Sequence, residues 1–191
     1  MIFNRPQFPL SRMRRVRSSQ WTRELVAEAQ LSPHHLIMPL FVSDGEKTTP
    51  ITSMPGQYRF TETDLVDKIA SLNKLGLHNF ALFPHVSEQF KSPNGEESLN
   101  SEGLIPRVMR AIRDRFSDIN LIADIALDPY TSHGQDGIID NNGYVLNDET
   151  IEMLQKQAVV VAKSGANIVA PSDMMDGRIL KIRQKLDANN L

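Results

Sequence analysis

Apolar runs of strand length return about every 40 to 45 residues, each followed by a helical pattern, and this rhythm restricts the chain to very few folds. The runs lie at 36–42, 80–84, 121–127 and 167–170. The first, Leu-Ile-Met-Pro-Leu-Phe-Val, is apolar at every position, as expected of a strand covered on both faces. Between them, 61–75 places Leu65, Ile69, Leu72 and Leu75 at helical spacing, with Thr61 or Thr63 to cap the start and Gly76 to end it. A basic amphipathic helix is expected over 104–116. Another, from Asn147 or Asp148 to Ser164, carries Ile151, Leu154, Ala158, Val161 and Ala162 on one face and stops at Gly165. A last helix covers about 175–186. Strands alternating with helices imply a parallel sheet with right-handed crossovers.

Loops entering the strands are short, and those after the first three strands are long. That asymmetry fits a (β/α)₈ barrel, whose functional groups sit on the loops at the C-terminal ends of its strands. Eight units need about 250 residues, so the 191 residues here hold about the first four. Residues 36–191 are read as the first half of such a barrel, with two open sheet edges that something must pair with. Residues 1–35 are read as an arm. Arg5, Arg12, Arg14, Arg15, Arg17 and Arg23 cluster there beside Trp21, which suits a subunit contact, a solvated tail or, least well, nucleic acid.

The net charge of −2 gives no general attraction to polyanions, and no apolar run reaches the roughly 18 residues of a membrane span. Neither nucleic acid nor membrane is expected as a partner. The start of the chain has no apolar leader with a small-residue cleavage site, which makes the cytoplasm the expected compartment. Zero cysteines exclude disulfides, thiolate nucleophiles and cysteine-held zinc.

Two stretches end strands with chemistry-bearing groups. Asp124 interrupts the otherwise apolar run 121–127, where a buried carboxylate needs a partner; it belongs either to a site or to a structural pair. Asp128, His133 and Asp136 follow in one loop rich in Pro and Gly. Two carboxylates and an imidazole could hold a hard divalent ion, yet Asp is also common in turns and His133 could simply bond backbone. After the fourth strand come Ser172, Asp173, Asp176 and Arg178, which either line a site or merely cap the last helix. Ser53-Met-Pro-Gly56 and Ser92-Pro-Asn-Gly95 read as turns, Glu88, Glu96 and Glu97 as solvating groups, and His34-His35 as structural.

Seven segments carry a family resemblance: Arg12 to Arg17, Leu36 to Val42, Ser53 to Gly56, Ala81 to Pro84, Asp124 to Gly137, Asn147 to Thr150 and Ala170-Pro-Ser-Asp-Met-Met-Asp-Gly-Arg178. In this order they resemble porphobilinogen synthase, also called 5-aminolevulinate dehydratase. The resemblance implies a (β/α)₈ barrel whose arm wraps a neighbouring subunit, usually in a homo-octamer. It implies condensation of two 5-aminolevulinate molecules to porphobilinogen with loss of water, in tetrapyrrole and haem synthesis. Zinc-type members have cysteine where this chain has Ala126, Asp128 and Asp136, so it resembles the aspartate-rich type that uses Mg²⁺, in some members at an allosteric site, or no active-site metal. By resemblance Asp124, Asp136, Ser172 and Asp173 are catalytic, and Asp128 and Asp136 are candidate metal ligands.

The family's two Schiff-base lysines, in Lys-Tyr-Ala-Ser-like and Val-Lys-Pro-like segments, lie beyond Leu191. An amine nucleophile turns a ketone into an electrophilic iminium. Lys163, Lys181 and Lys185 are no substitute, since periodicity puts them on outer helices. The 191 residues are therefore expected to be inactive alone. The alternative is a truncated, non-catalytic member that keeps only its interaction surfaces.

Overall fold

A computed structural model describes residues 6–191. Arg5, counted with the basic arm, lies outside the described residues. The order of elements is α1 (Gln20–Leu25), β1 (Ile37–Ser43), β2 (Thr49–Pro50), β3 (Tyr58–Phe60), α2 (Glu62–Asn73), β4 (Asn79–His85), α3 (Leu104–Arg115), β5 (Asn120–Ile125), α4 (Asn147–Lys163), β6 (Ile168–Pro171) and α5 (Arg178–Asp187). One sheet runs β2-β3-β1-β4-β5-β6. The ladder β1-β4-β5-β6 is parallel and follows chain order, as in the first half of a (β/α) barrel.

Alternation along the strands separates two faces. Leu40 and Val42 of β1, Phe80 and Leu82 of β4, and Leu121, Ala123 and Ile125 of β5 are buried. They belong to one core with Leu65 and Ile69 of α2, Val108, Met109 and Ile112 of α3, Leu154, Ala158 and Val161 of α4, and Ile182 and Leu186 of α5. The residues between them point the other way. Ile37 and Ile168 remain about half exposed there, and Phe41 stacks obliquely on Phe83 with ring centres 5.6 Å apart.

Three expectations need correction. The sheet has six strands rather than four, because 49–60 folds back as a short antiparallel pair whose inner member, β3, runs parallel to β1 at Phe41 and Val42. One of the two edges is thereby partly covered. Strands of two and three residues are too short to show a period of two. Leu75 is 69% exposed: α2 ends at Asn73, before the helical face reaches it. The final helix begins at Arg178, because Gly177 adopts φ +81 and interrupts the turn before it.

The short entry loops are tied down. Arg113 donates from Nε to the Gly165 carbonyl at 2.9 Å, from Nη1 to Ile119 O at 2.8 Å, and from Nη2 to Asn167 Oδ1. That Asn167 oxygen also accepts the Leu121 amide at 3.0 Å. One guanidinium thus fixes β5 and β6 at their starting ends. Gly165 permits it, since a side chain there would meet Arg113 Cγ at 2.8 Å and φ is +115. At the same end His34 stacks on His78 at 5.6 Å, the structural part expected of it.

Phe80 lies at the centre of the core with no exposure. Phe80→Ala is expected to lower stability by about 3–5 kcal/mol in urea unfolding, and a loss below about 1 kcal/mol would contradict this assignment of the core.

Candidate active site

The sheet's register brings the two acidic stretches together. Asp124, one residue before the end of β5, pairs with Ala170 of β6 and lies on the face turned away from the helices, between buried Ala123 and Ile125. Ser172 follows two residues after Ala170, so it shares that face. The Ser172 amide bonds Ile125 O at 3.3 Å, which brings its hydroxyl beside the Asp124 carboxyl. Burial raises the Asp124 pKa above the ordinary aspartate value; the Ser172 hydroxyl opposes this, and the charges of Asp128 and Asp173 add to it.

The loop after β5 delivers the next carboxyls. Asp128 is raised by partial burial and by the charge of Asp136, while its own backbone amide opposes. Asp136 acts on Asp173 as well as on Asp128. Asp173 is almost wholly buried. Burial and the charge of Asp136 raise it, against the Met175 amide, which donates to Oδ1 at 2.7 Å, and Arg178, whose Nε lies 3.1 Å from Oδ2. Arg178 is itself held by a bond from Nη1 to Met175 O at 2.7 Å. Asp124, Asp128, Asp136, Ser172 and Asp173 therefore occupy one cluster at the C-terminal ends of β5 and β6. Three of its four carboxyls are biased toward the protonated form.

The capping reading of Ser172 and Asp173 fails. α5 begins after Gly177 with no side-chain cap, and Asp173 closes a local turn instead. Asp176 is exposed, and its amide is held by Asn147 Oδ1 at 2.8 Å. His133 is taken up by backbone: Nδ1 accepts the Gln135 amide at 3.1 Å, and Nε2 lies 2.9 Å from Pro93 O. Among the described residues no group of three or more His, Cys, Asp or Glu side chains is placed to hold a metal ion. Glu88 pairs with Lys91, and Glu96 and Glu97 bond Ser92 and Asn100, so these three organise their loop rather than only solvating it.

Two buried groups behind the site were not singled out from sequence. Tyr130 lies under the loop; burial, then Asp124, Glu97 and Asp128, push its hydroxyl well above the usual tyrosine range, so it stays protonated. Gln157 donates to Ala126 O at 3.1 Å from the buried face of α4. A glutamine between Leu154 and Ala158 was the available signal. Lys163, Lys181 and Lys185 are exposed on α4 and α5, as expected.

An acidic cluster at the C-terminal ends of parallel strands, with helices packed on the other face of the sheet, defines a (β/α)-barrel enzyme scaffold. A family model described as delta-aminolevulinic acid dehydratase matches residues 10–191, and the chain belongs to that family. The chloroplastic delta-aminolevulinic acid dehydratase of Glycine max is 44% identical over 185 residues, covering 96% of this chain and 45% of that protein. The first chloroplastic dehydratase of Arabidopsis thaliana is 46% identical over 178 residues, covering 93% and 41%. A solved structure of the Toxoplasma gondii enzyme, also named porphobilinogen synthase and in complex with the reaction product porphobilinogen, matches with a TM-score of 0.92 and 46% identity. That match covers 94% of this chain and 51% of the other. The chain thus spans about half the length, or less, of the relatives it matches. The cytoplasmic expectation is overturned, because these plant relatives are chloroplastic. Compartment follows from targeting signals, on which the physical chemistry of a barrel is silent.

A carboxyl whose pKa is raised by folding holds its proton more tightly in the folded state, so its contribution to stability falls as pH rises past the ordinary value of about 3.9. Asp124→Asn removes that slope. The melting temperature of the variant minus that of the parent is expected to grow from about pH 4 to 7; a difference that shrinks over this range would contradict the raised pKa of Asp124.

Proposed function

We propose that this chain is the N-terminal part of an enzyme that condenses two 5-aminolevulinate molecules to porphobilinogen with loss of water, a step of tetrapyrrole synthesis. The observation that carries this reading is the convergence of Asp124, Asp136, Ser172 and Asp173 at the strand ends, in a chain whose solved relative is in complex with porphobilinogen. The condensation needs groups that hold and move protons near neutral pH, and carboxyls with raised pKa are suited to that. Asp124, with the Ser172 hydroxyl beside it, is the proton-transfer candidate. Asp173, oriented by the Met175 amide and Arg178, positions substrate. The iminium-forming lysines belong to the part of the barrel that follows residue 191.

Mg²⁺ suits the donor set. The site offers only oxygen, and Mg²⁺ binds through one or two carboxylates while keeping several waters. Asp128 and Asp136, close enough for each other's charge to matter, would hold it; the ion would supply positive charge there, for structure or for regulation. Asp136→Ala is expected to weaken Mg²⁺ binding by at least about tenfold in calorimetric titration, and unchanged affinity would exclude Asp136 as a ligand.

Residues 1–35 fit a subunit contact, and a homo-octamer is the assembly proposed for the whole protein. Phe8, Leu10, Trp21, Leu25 and Leu31 are each at least two-thirds exposed, and no ion pair among the described residues involves the arm's arginines. The arm carries six arginines against Glu24 and Glu28 in a chain of net charge −2, so the remaining residues are acidic and complement it.

The decisive experiment is the intact mass of the natively expressed protein after incubation with 5-aminolevulinate and borohydride. The expected result is a chain longer than these residues bearing a reduced imine. An unmodified mass near 21.5 kDa would leave the non-catalytic reading.

A further inference from the structure

The carboxylate loop is stitched to a loop 40 residues earlier in the chain. Beyond the end of the β4–β5 ladder, the Ser92 amide donates to Tyr130 O at 3.1 Å and the Ser132 amide donates to Ser92 O at 3.0 Å, a parallel bridge between Ser92 and Thr131. Gly95, at φ +68, faces this pair; a side chain there would lie 3.5 Å from Tyr130 Cβ and Thr131 Cγ2. The Ser92 side chain and Glu96 close the loop on the other side.

His133 completes the seam. With Nδ1 accepting the Gln135 amide, the ring proton sits on Nε2 and is donated to Pro93 O at 2.9 Å. Gly134 at φ +74 makes the tight turn that lets the ring reach back to Gln135. The Gln135 carbonyl is held in turn by the Thr131 hydroxyl at 2.8 Å. Both polar backbone groups of Gln135 are therefore fixed, and Asp136 is the next residue. Gly137 anchors the far side: its α-carbon packs so closely on α4 and the loop before it that a side chain would meet Thr150 Oγ1 at 2.7 Å and Val145 Cγ1 at 2.6 Å.

We propose that His133 is a positioning residue. By latching the carboxylate loop to Pro93 and to its own backbone at Gln135, it sets where Asp136 stands relative to Asp128 and Asp173. This role leaves neither ring nitrogen for a metal and makes the Ser92–Gly95 turn part of the site's framework. An error of about 1 Å in placing a reacting group can cost about 100-fold in rate, so a latch one residue from such a group has a kinetic signature.

The activity test rests on the proposed synthase reading and uses the full-length protein that contains these residues. His133→Phe keeps ring bulk but makes neither bond. It is expected to lower kcat/KM by about 10- to 100-fold at an unchanged melting temperature. His133→Gln, whose amide can still donate to Pro93 O, recovers most of the loss. A His133→Phe enzyme within about twofold of the parent would overturn the proposal. Amide hydrogen exchange in the unsubstituted chain tests the latch without activity: Gln135, exposed on the surface, is expected to be protected through its bond to His133. Free exchange at Gln135 would overturn the latch even if the synthase reading stands, whereas protected Gln135 in a protein that makes no porphobilinogen would overturn only that reading.

Discussion

The arrangement depends on a carboxyl held within an apolar strand. Asp124 sits between Ala123 and Ile125, both buried, and its charge is disfavoured by burial and by two nearby aspartates. Such a group is tolerable where a polar neighbour eases its charge and its proton is held more tightly than in water. The Ser172 hydroxyl eases that charge, and Ser172 stands beside Asp124 only because β6 pairs with β5 in the register that sets Ala170 opposite Asp124. A slip of one residue would turn Ser172 toward the helices and leave Asp124 alone.

Register is in turn set at the opposite end of the strands. Arg113 grips the backbone at Gly165 and Ile119 and the side chain of Asn167. Structural contacts thus gather at the end where strands begin, and the clustered carboxyls at the end where they finish. This division lets the loops after β4 and β5 vary in shape while their roots stay fixed.

Much of this was legible in the sequence. The four principal strands and four helices were visible as apolar runs and helical faces, because long, strongly periodic segments report their burial directly. Leu65, Ile69 and Leu72 are buried as the spacing demanded, whereas Leu75 is not, since periodicity does not reveal where a helix ends. The pair β2–β3 was invisible because two- and three-residue strands have no period. Asp124 was conspicuous as the one charge in an apolar run. The part His133 plays was open: spacing admits a ligand as well as a backbone brace, and only the position of Pro93 from a distant loop decides between them. Tyr130 and Gln157 were missed since neither stands out by type, and their importance comes from what they are buried beside.

The central claim is that Asp124, Asp128 and Asp173 form one electrostatic cluster with raised pKa values. Titration of the aspartate side-chain carboxyl carbons by ¹³C NMR tests it residue by residue. The account predicts that all three titrate above the ordinary value of about 3.9, and that Asp173→Asn lowers the Asp124 midpoint by removing a like charge. Midpoints at or below that ordinary value, or an Asp124 midpoint that ignores the loss of Asp173, would contradict it.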